Sequence, residues 1–494
     1  MFITTESGSL ENIHANKDYR EPGQMLLISP HGETEYLGKL KSISGRGQYS
    51  WTVPKKPYNL NLEEAADLLS LGAGRRWCLI ASYTDNSFIR HKLVYDLAKA
   101  IGMAYTPRAD FVDLFINGEY MGLYMLCTQV TVGENRVEIT DLEAETEKAN
   151  RVNSLEIYEP FQTGEGAGSL KGYDIPRDPA DITGGYLFYM EMSDRYSNRG
   201  SGFITGRSQH ILIKSPEHAS ARQVEYLSSL VQEFEDAIYA EDGINPDTGR
   251  SFTEYIDLES WAKKYLIEEF SINFDAGTTS QYLYKDVDSV SPLIYAGPAW
   301  DYDHSIGNIR PIVRNPHTLY AYKKNRDGWY GKLYEKPAFY QKVVEIYEHE
   351  LLPAVDYMLK HKLDEYYDKL QVAAGLDYVR WNRDEKVDII LNFNTYKEDY
   401  DYIREFLTER VKFLNRLWLE GITYHSVTLA MPSWSSIPFY YFDIEDGKYL
   451  PAPLPEIDDE KFAGWYYDEA GEIPFDPSIP ITGDLVLYPK FSNG

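Results

Sequence analysis

Cysteine is nearly missing from this chain: 494 residues hold two, Cys78 and Cys127. That rules out a disulfide-built scaffold. With the histidines scattered, it also rules out a structural zinc site, which needs four nitrogen or sulfur ligands. Both cysteines sit in apolar, strand-like runs (WCLIAS and YMLCTQV), where buried free thiols are the ordinary outcome. Long hydrophobic runs are lacking too. None approaches the roughly 18 apolar residues of a membrane span, so no transmembrane segment is expected. The opening Met1-Phe2-Ile3-Thr4-Thr5 has neither a basic nor an apolar signal region, which fits a cytoplasmic protein or a mature secreted form. Positive charge is scarce: 49 lysines and arginines face 77 acids, for a net charge of −28. Nucleic acid is thereby excluded as a partner, because phosphate contacts need basic residues in excess. The same imbalance favours solubility, and it obliges any nucleotide site to supply its own cations or metal.

What is present describes a folded protein. Hydrophobic residues make up 43% and aromatics 14%, with 42 tyrosines, a composition found in secreted and carbohydrate-facing proteins. The length exceeds what one core usually carries, so one large domain and a smaller one are expected.

The chain is organised around Ile272 to Asn308, INFDAGTTSQYLYKDVDSVSPLIYAGPAWDYDHSIGN. Asp275 follows a helical run, a short strand spans Gln281 to Tyr284, and a second strand, Leu293 to Ala296, leads into Trp300-Asp301-Tyr302-Asp303. A hairpin of these strands would gather the carboxylates at one end. Acids grouped so suit a hard divalent cation on phosphate oxygens, with one acid left to orient a hydroxyl. The plainer alternative is that strand-end acids satisfy backbone N–H groups.

Upstream, MLLISP and YLGKLKSISGRG read as strands about a turn at His31-Gly32-Glu33. In Ile43 to Leu62, Gly45 and Gly47 flank Arg46, and Lys55 and Lys56 lead into an alternating strand. Such a loop can hold polyphosphate, and equally can be an ordinary hairpin with solvated lysines. Asn61 to Leu71 is predicted as a short capped helix stopped by Gly72, and Asn86 to Gly102 as an amphipathic helix on which Arg90 faces solvent or a structural partner. Phe111 to Ile116, Asn117-Gly118 and Tyr120 to Val130 form a strong hairpin signal. Residues 131–182 read as surface loops, GGYLFYMEM and QHILIK as strands, and His218 to Ala240 and Asp257 to Phe270 as helices, the second capped by Asp257. Trp329 to Glu420 reads as mostly helix, with three-and-four apolar spacing in YQKVVEIYEHELLPAVDYMLKHKLDEYYDKL and YIREFLTERVKFLNRLWLEG. From His425 the chain switches to short strands and acidic, proline-rich loops, which marks a small all-β module over 425–494.

The blocks GRGQYSWTVPKKPY, FVDLFINGEYMGLYML, TGGYLFYME, IKSPE, NFDAGTTSQYLYKD and AGPAWDYDHSIGN occur in one order that resembles the CotH kinase family, the spore coat protein H-like atypical kinases. The resemblance implies an α+β, divergent protein-kinase-like fold over residues 1–421, with a β-rich N-lobe and a helical C-lobe. It implies ATP and Mg or Mn as cofactors, and serine or threonine of a protein as acceptor. Carried over residue by residue, Asp275 matches the catalytic aspartate and Asp301 the metal aspartate. Asp303 is a second metal ligand or a turn cap. Gln281 lies near the place of a metal-binding amide, though a structural glutamine fits it as well. Arg46 and Lys56 are the candidates for phosphate contact, Lys56 over Lys55 by strand alternation, while Lys214 and Lys285 read as structural. One departure stands out: Thr128 occupies the place of a family glutamate near the nucleotide edge.

The tail, FAGWYYD with Phe475-Asp476, Pro480-Ile481-Thr482 and Leu487-Tyr488-Pro489-Lys490-Phe491, resembles the Listeria–Bacteroides repeat, the internalin B-repeat-like module. That implies a β-grasp-like fold and a secreted or cell-surface location. Phe462, Trp465 and Tyr466 are expected to form its core. The rival to a secreted kinase is a kinase-fold surface adhesin or scaffold without the chemistry.

Overall fold

The computed structural model of the chain describes residues 1–196, 200–309, 311–381, 390–391, 393, 395–433, 435, 439–455, 457 and 461–492. Seven strands close the N-terminal part into a barrel: β1 (Phe2–Thr5), β2 (Glu21–Ile28), β3 (Thr34–Gly45), β4 (Tyr58–Ala66), β5 (Gly74–Ile80), β6 (Ala109–Ile116) and β7 (Glu119–Thr128). The order is β1-β2-β3-β4-β5-β7-β6, and β1 returns in parallel on β6, leaving no open edge. Alternate side chains such as Met25, Leu27, Leu60, Leu62, Trp77 and Leu126 fill the interior. The β6–β7 hairpin turns through Asn117 (φ 52°) and Gly118 (φ 83°), the positive pair a two-residue turn requires.

The barrel corrects two expectations. Asn61 to Leu71 is not a helix: β4 runs to Ala66, with Leu60 and Leu62 inside the barrel. The period-two burial of those leucines outweighs the helix preference of Glu63, Glu64, Ala65 and Ala66. Lys55 and Lys56, expected on the strand, lie in the bend before it.

A second sheet follows, made of β8 (Pro160–Gln162), β9 (Leu170–Tyr173), β10 (Tyr186–Glu191), β11 (Gly202–Ile204), β12 (His210–Ser215), β13 (Gln281–Lys285) and β14 (Tyr295–Ala296). Its order is β14-β13-β10-β12-β11-β9-β8. Residues 131–182 are thus more than surface loop: they supply β8, β9 and the helix Leu142–Asn150, N-capped by Asp141. These elements are too short to show a period in the sequence.

Ser220 opens the helix Ala221–Tyr239 with a capping box to Gln223, and Asp257 caps the helix Leu258–Ser271. The latter is buried on every side from Trp261 to Ser271, as a helix at the centre of a large core must be. Beyond it, helix runs almost unbroken from Pro337 to Trp381, with π-turns at Tyr347–Leu351 and Met358–Lys362, and resumes at Tyr396–Leu414. The predicted helical stretch also includes residues 382–389, 392 and 394, which lie outside the described residues. No helix among the described residues is long and apolar enough to cross a membrane.

At the C-terminus β15 (Tyr424–Ala430), β16 (Phe439–Glu445), β17 (Phe462–Tyr466) and β18 (Leu485–Phe491) form a sheet in the order β16-β15-β18-β17. It encloses its own core, with Val427, Leu429, Ile444, Trp465 and Leu487 buried and Phe462 packed against them.

A fully buried ion pair ties the barrel to the helices. Lys55 is fully buried and donates to Asp377 Oδ2 (2.5 Å) and to the Leu123 carbonyl (2.5 Å), while the Leu123 N–H donates to the same Asp377 oxygen (2.8 Å). The Lys55 ammonium also lies 4.6 Å from the Tyr124 ring centroid. Gly122 (φ +106°) faces this contact, and a Cβ there would fall 2.3 Å from Asp377 Oδ2. Truncating one partner strands a buried charge, which costs about 3–5 kcal/mol, whereas an apolar pair of similar volume is nearly neutral. Asp377→Ala is therefore expected to lower the unfolding free energy by about 3–5 kcal/mol in urea titrations. The double variant Lys55→Met/Asp377→Leu should recover most of that loss.

Candidate active site

Two short segments meet at the C-terminal end of the central helix. Ile272 ends that helix in a left-handed conformation (φ 47°), which is unusual for a β-branched residue, and turns the chain into Asn273-Phe274-Asp275. The second segment leaves β14 and carries Trp300 to Asp303, with Asp301 itself at φ 69°. Ser280, just before β13, and Ile306 also have positive φ. Strained backbone gathers here because neighbouring contacts over-determine it.

Those contacts converge on Glu268. It is fully buried and accepts from the Tyr302 hydroxyl (2.7 Å), the Asn273 amide (2.7 Å) and Lys264. Lys264 also donates to the Tyr302 hydroxyl at 3.0 Å. The other end of Asn273 accepts the Asp275 backbone N–H (3.2 Å), and its amide reaches the Asp301 carbonyl (3.4 Å). Glu268 therefore fixes the Asp275 turn and the Asp301 segment against each other.

Around this frame the structure brings together Asp275, Asp301 and Asp303. Carboxylate oxygens of Asp301 and Asp303 and a ring nitrogen of His91 lie within 4.8 Å of one another. Asp301 Oδ2 accepts from the Ser280 hydroxyl (3.0 Å) and Asp303 Oδ2 from the Thr84 hydroxyl (2.8 Å). His91 Nδ1 accepts the Tyr302 N–H at 2.9 Å, so the ring proton sits on Nε2, which faces Asp303 Oδ1 at 3.9 Å. With Nδ1 occupied and the proton on Nε2, His91 turns no free ring lone pair toward the aspartates. The donor set left for a cation is two carboxylates, hard oxygen ligands of the kind Mg²⁺ and Mn²⁺ take. Burial works to raise the Asp303 carboxyl, but His304, His91 and the Thr84 hydroxyl outweigh it and hold it below the usual range.

Asp275 behaves oppositely. Burial, reinforced by the Asp301 charge, pushes its carboxyl up to about 6, against the pull of His304 and Lys324. Lys324, at the end of the short helix Tyr320–Lys324, donates to the Phe274 carbonyl and to Thr278 Oγ1 (3.2 Å). Burial lowers its ammonium to about 8, with Asp275 opposing the shift. Asn325 grips the same turn, donating to the Ala276 carbonyl at 2.9 Å.

Arg46 joins the cluster from the turn after β3, its guanidinium 5.4 Å from the Trp300 ring centroid. Burial opposes the charge of Arg46, yet Cys78 and Asp301 beside it more than offset that and raise its pKa. Lys56 is not brought in: its ammonium donates to the Trp51 carbonyl (2.5 Å) and lies over the Trp51 ring. The bend before β4 imposes no strand alternation, so the rule that selected Lys56 does not operate there. Gln281 is also engaged elsewhere. It is buried, its amide donates to the Thr279 carbonyl (3.2 Å), and its oxygen accepts from the Tyr330 hydroxyl (3.0 Å). Lys285 is held by the Thr183 and Asp286 carbonyls and by Asp288, and Lys214 is exposed. Arg90 is a buried structural cation between Asp85 (2.6 Å) and Asp399 (3.1 Å).

Sequence reasoning misses Thr84, His91, Glu268, His304 and Lys324. His304 adjoins the aspartate motif and could have been drawn in on that ground. The others sit in ordinary helical or turn contexts with no local signal. Thr128, the departure from the family pattern, is buried, and its hydroxyl accepts the Arg108 N–H at 3.0 Å.

No curated protein compared with the chain matches it. Residues 43–414, well over half of the chain, match the family model described as CotH kinase protein, and the chain belongs to that family.

Proposed function

We propose that the protein is an atypical kinase that uses ATP and Mg²⁺ or Mn²⁺ to phosphorylate serine or threonine of a secreted or surface protein. In this reading the barrel is the nucleotide lobe, the helical part the substrate lobe, and the spore-coat association of the family suits an extracellular acceptor. The C-terminal sheet is proposed as an internalin-like surface module over residues 425–494. The observation that carries the kinase reading is the split among the acids: Asp275 is held largely protonatable near neutral pH, while Asp303, beside Asp301, is held ionised. Phosphoryl transfer needs that division, because one acid receives a proton and the others stay anionic.

Asp301 and Asp303 would hold the divalent cation, which when bound neutralises charge on the phosphate oxygens. Arg46 approaches from the barrel as a guanidinium able to grip two phosphate oxygens at once. Asp275 orients the acceptor hydroxyl. As the new O–P bond forms and the bond from the γ-phosphorus to ADP breaks, the hydroxyl proton passes to the Asp275 carboxylate. Gln281 and Lys56 are assigned no part, since Gln281 is held between Thr279 and Tyr330 and Lys56 lies on Trp51 and not on an aspartate segment.

With magnesium and labelled ATP, the protein is expected to label itself or an added acidic protein, with a mass gain of about 80 daltons per phosphate, as a phosphate ester requires. A gain of several hundred daltons would mean nucleotidyl transfer. Absence of both ATP binding and hydrolysis would hand the chain to the scaffold reading. Asp301→Asn should abolish transfer and weaken manganese binding by titration calorimetry at least tenfold. Equal manganese affinity in the variant would remove Asp301 from the site.

The raised Asp275 pKa has a definite sign. An acid with a folded pKa above its unfolded value near 4 ionises at the fold's expense as pH rises from about 4 to 6. Asp275→Asn in metal-free protein should therefore raise stability at pH 7.5 by about 2–3 kcal/mol, leave it unchanged near pH 4, and abolish transfer. Wild-type kcat should fall about tenfold per pH unit below the pKa of Asp275, as its base form is lost.

A further inference from the structure

The C-terminal sheet touches the candidate site through one short lever. Asp443, on β16, accepts from the Lys323 ammonium (Oδ1, 2.8 Å) and from the Leu319 backbone N–H (Oδ2, 2.8 Å). Lys323 also donates to the Phe442 carbonyl at 2.9 Å. Both members of the Lys323–Asp443 pair are more than nine-tenths buried, at 7% and 9% exposure, so the contact is not a screened surface pair. The sheet thus holds the helix Tyr320–Lys324 at its first turn and at its penultimate residue.

The next residue is Lys324. Its ammonium lies on the Asp275 turn, bonded to the Phe274 carbonyl and to Thr278 Oγ1. Asn325 continues the grip at the Ala276 carbonyl, so tightly that a Cβ on Gly277 would fall 2.3 Å from Asn325 Oδ1. From inside the core, the same helix is held by its Tyr322 N–H to Glu269 (2.9 Å), by Asn325 donating to the Ala321 carbonyl (2.8 Å), by the burial of Tyr320 and Ala321, and by the weaker Tyr320 hydroxyl to the Phe274 carbonyl (3.4 Å). A five-residue helix has little stability of its own, so its position is set by such outside holds.

We propose that the C-terminal sheet is a working part of the catalytic site: Asp443 fixes the helix Tyr320–Lys324, and that helix delivers the Lys324 ammonium to the Asp275 turn, where it meets the charge of the phosphoryl group in transfer. Asp443 is a positioning residue, acting through Lys323, and Lys324 is the group that contacts substrate. The assignment of Lys324 rests on the kinase reading; the mechanical coupling of Asp443 to the Asp275 turn does not. A cation at this place serves transfer because charge accumulates on the equatorial oxygens, and a fixed ammonium needs no reorganisation to meet it.

The test uses the full chain with Asp443→Asn, which keeps the volume but can accept from only one of its two donors. Glu445→Gln is the control: it lies on the same strand and loosens the sheet at Arg416 (2.6 Å), away from the lever. Hydrogen exchange read by mass spectrometry should be at least tenfold faster in peptides covering residues 274–279 and 319–325 for Asp443→Asn, and unchanged for Glu445→Gln. Unchanged exchange at 274–279 in Asp443→Asn, or equal acceleration in both variants, would overturn the coupling. In kinetics, Asp443→Asn should lower kcat at least tenfold with KM for ATP within twofold. Lys324→Met should abolish transfer and Lys324→Arg retain a measurable part of it; equal activity of Lys324→Met and wild type would overturn the role of Lys324. A wild-type protein that transfers no phosphate would sink the kinase reading, while the exchange comparison would still decide the coupling.

Discussion

The arrangement of acids at this site depends on a buried carboxylate that takes no part in the chemistry. Glu268 is out of contact with water and receives hydrogen bonds from Lys264, Asn273 and Tyr302. A buried carboxylate is tolerated only when its lone pairs are filled, and filling them here recruits one donor from each segment that carries an aspartate. The satisfaction of one charge thereby becomes a geometric constraint on two loops. Ile272, Asp301 and Ile306 sit at positive φ as part of the same bargain: the loops are held in backbone states that side chains rarely adopt, by contacts they would lose if they relaxed.

The second constraint is electrostatic. Asp275, Asp301 and Asp303 are crowded in a chain whose net charge is already −28. Such a cluster raises the free energy of the fold unless cations or protons compensate. Besides His304 on the aspartate segment itself, the compensation comes from three directions. Arg46 arrives from the barrel, His91 and Thr84 from the connection behind β5, and Lys324 from a helix near the C-terminal sheet. Only His304 shares a segment with the acids, so the full balance exists only when barrel, core and helical part are packed together.

That division explains how much could be read from residues alone. Periodic elements are legible: the Asn117-Gly118 hairpin, the helix capped by Asp257, the helix that Ser220 opens and the switch to strands after residue 424 all announce themselves by local chemistry. The acids are legible as well, since they lie within one window of the chain. Their supports are not. Lys324 is an ordinary lysine on a short helix, His91 one histidine on an amphipathic helix, and Glu268 one acid among several on the central helix. Each acquires its meaning from a partner tens to hundreds of positions away, and local pattern holds no record of that. Lys56 and Asn61–Leu71 fail for a related reason. Alternation and helix preference were applied to a segment whose conformation is set by barrel closure, where the bend before β4 and the inward leucines decide the outcome.

Lysine 55 and Lys56 show the same logic in adjacent residues. Either has the charge a phosphate would seek, and sequence offers no way to separate them from Arg46. The fold separates them by their partners. Lys55 is committed to Asp377 across the barrel–helix boundary, and Lys56 to the Trp51 carbonyl and ring. Arg46 differs in kind: its guanidinium lies over the ring of Trp300, the residue before Asp301, and the Asp301 charge favours its charged form. A planar, weakly hydrated cation keeps its charge under burial where an ammonium gives it up more readily, and Lys324, lowered to about 8, illustrates the contrast. The barrel thus contributes a cation whose charge survives desolvation, and the helical part contributes one whose charge depends on staying close to Asp275.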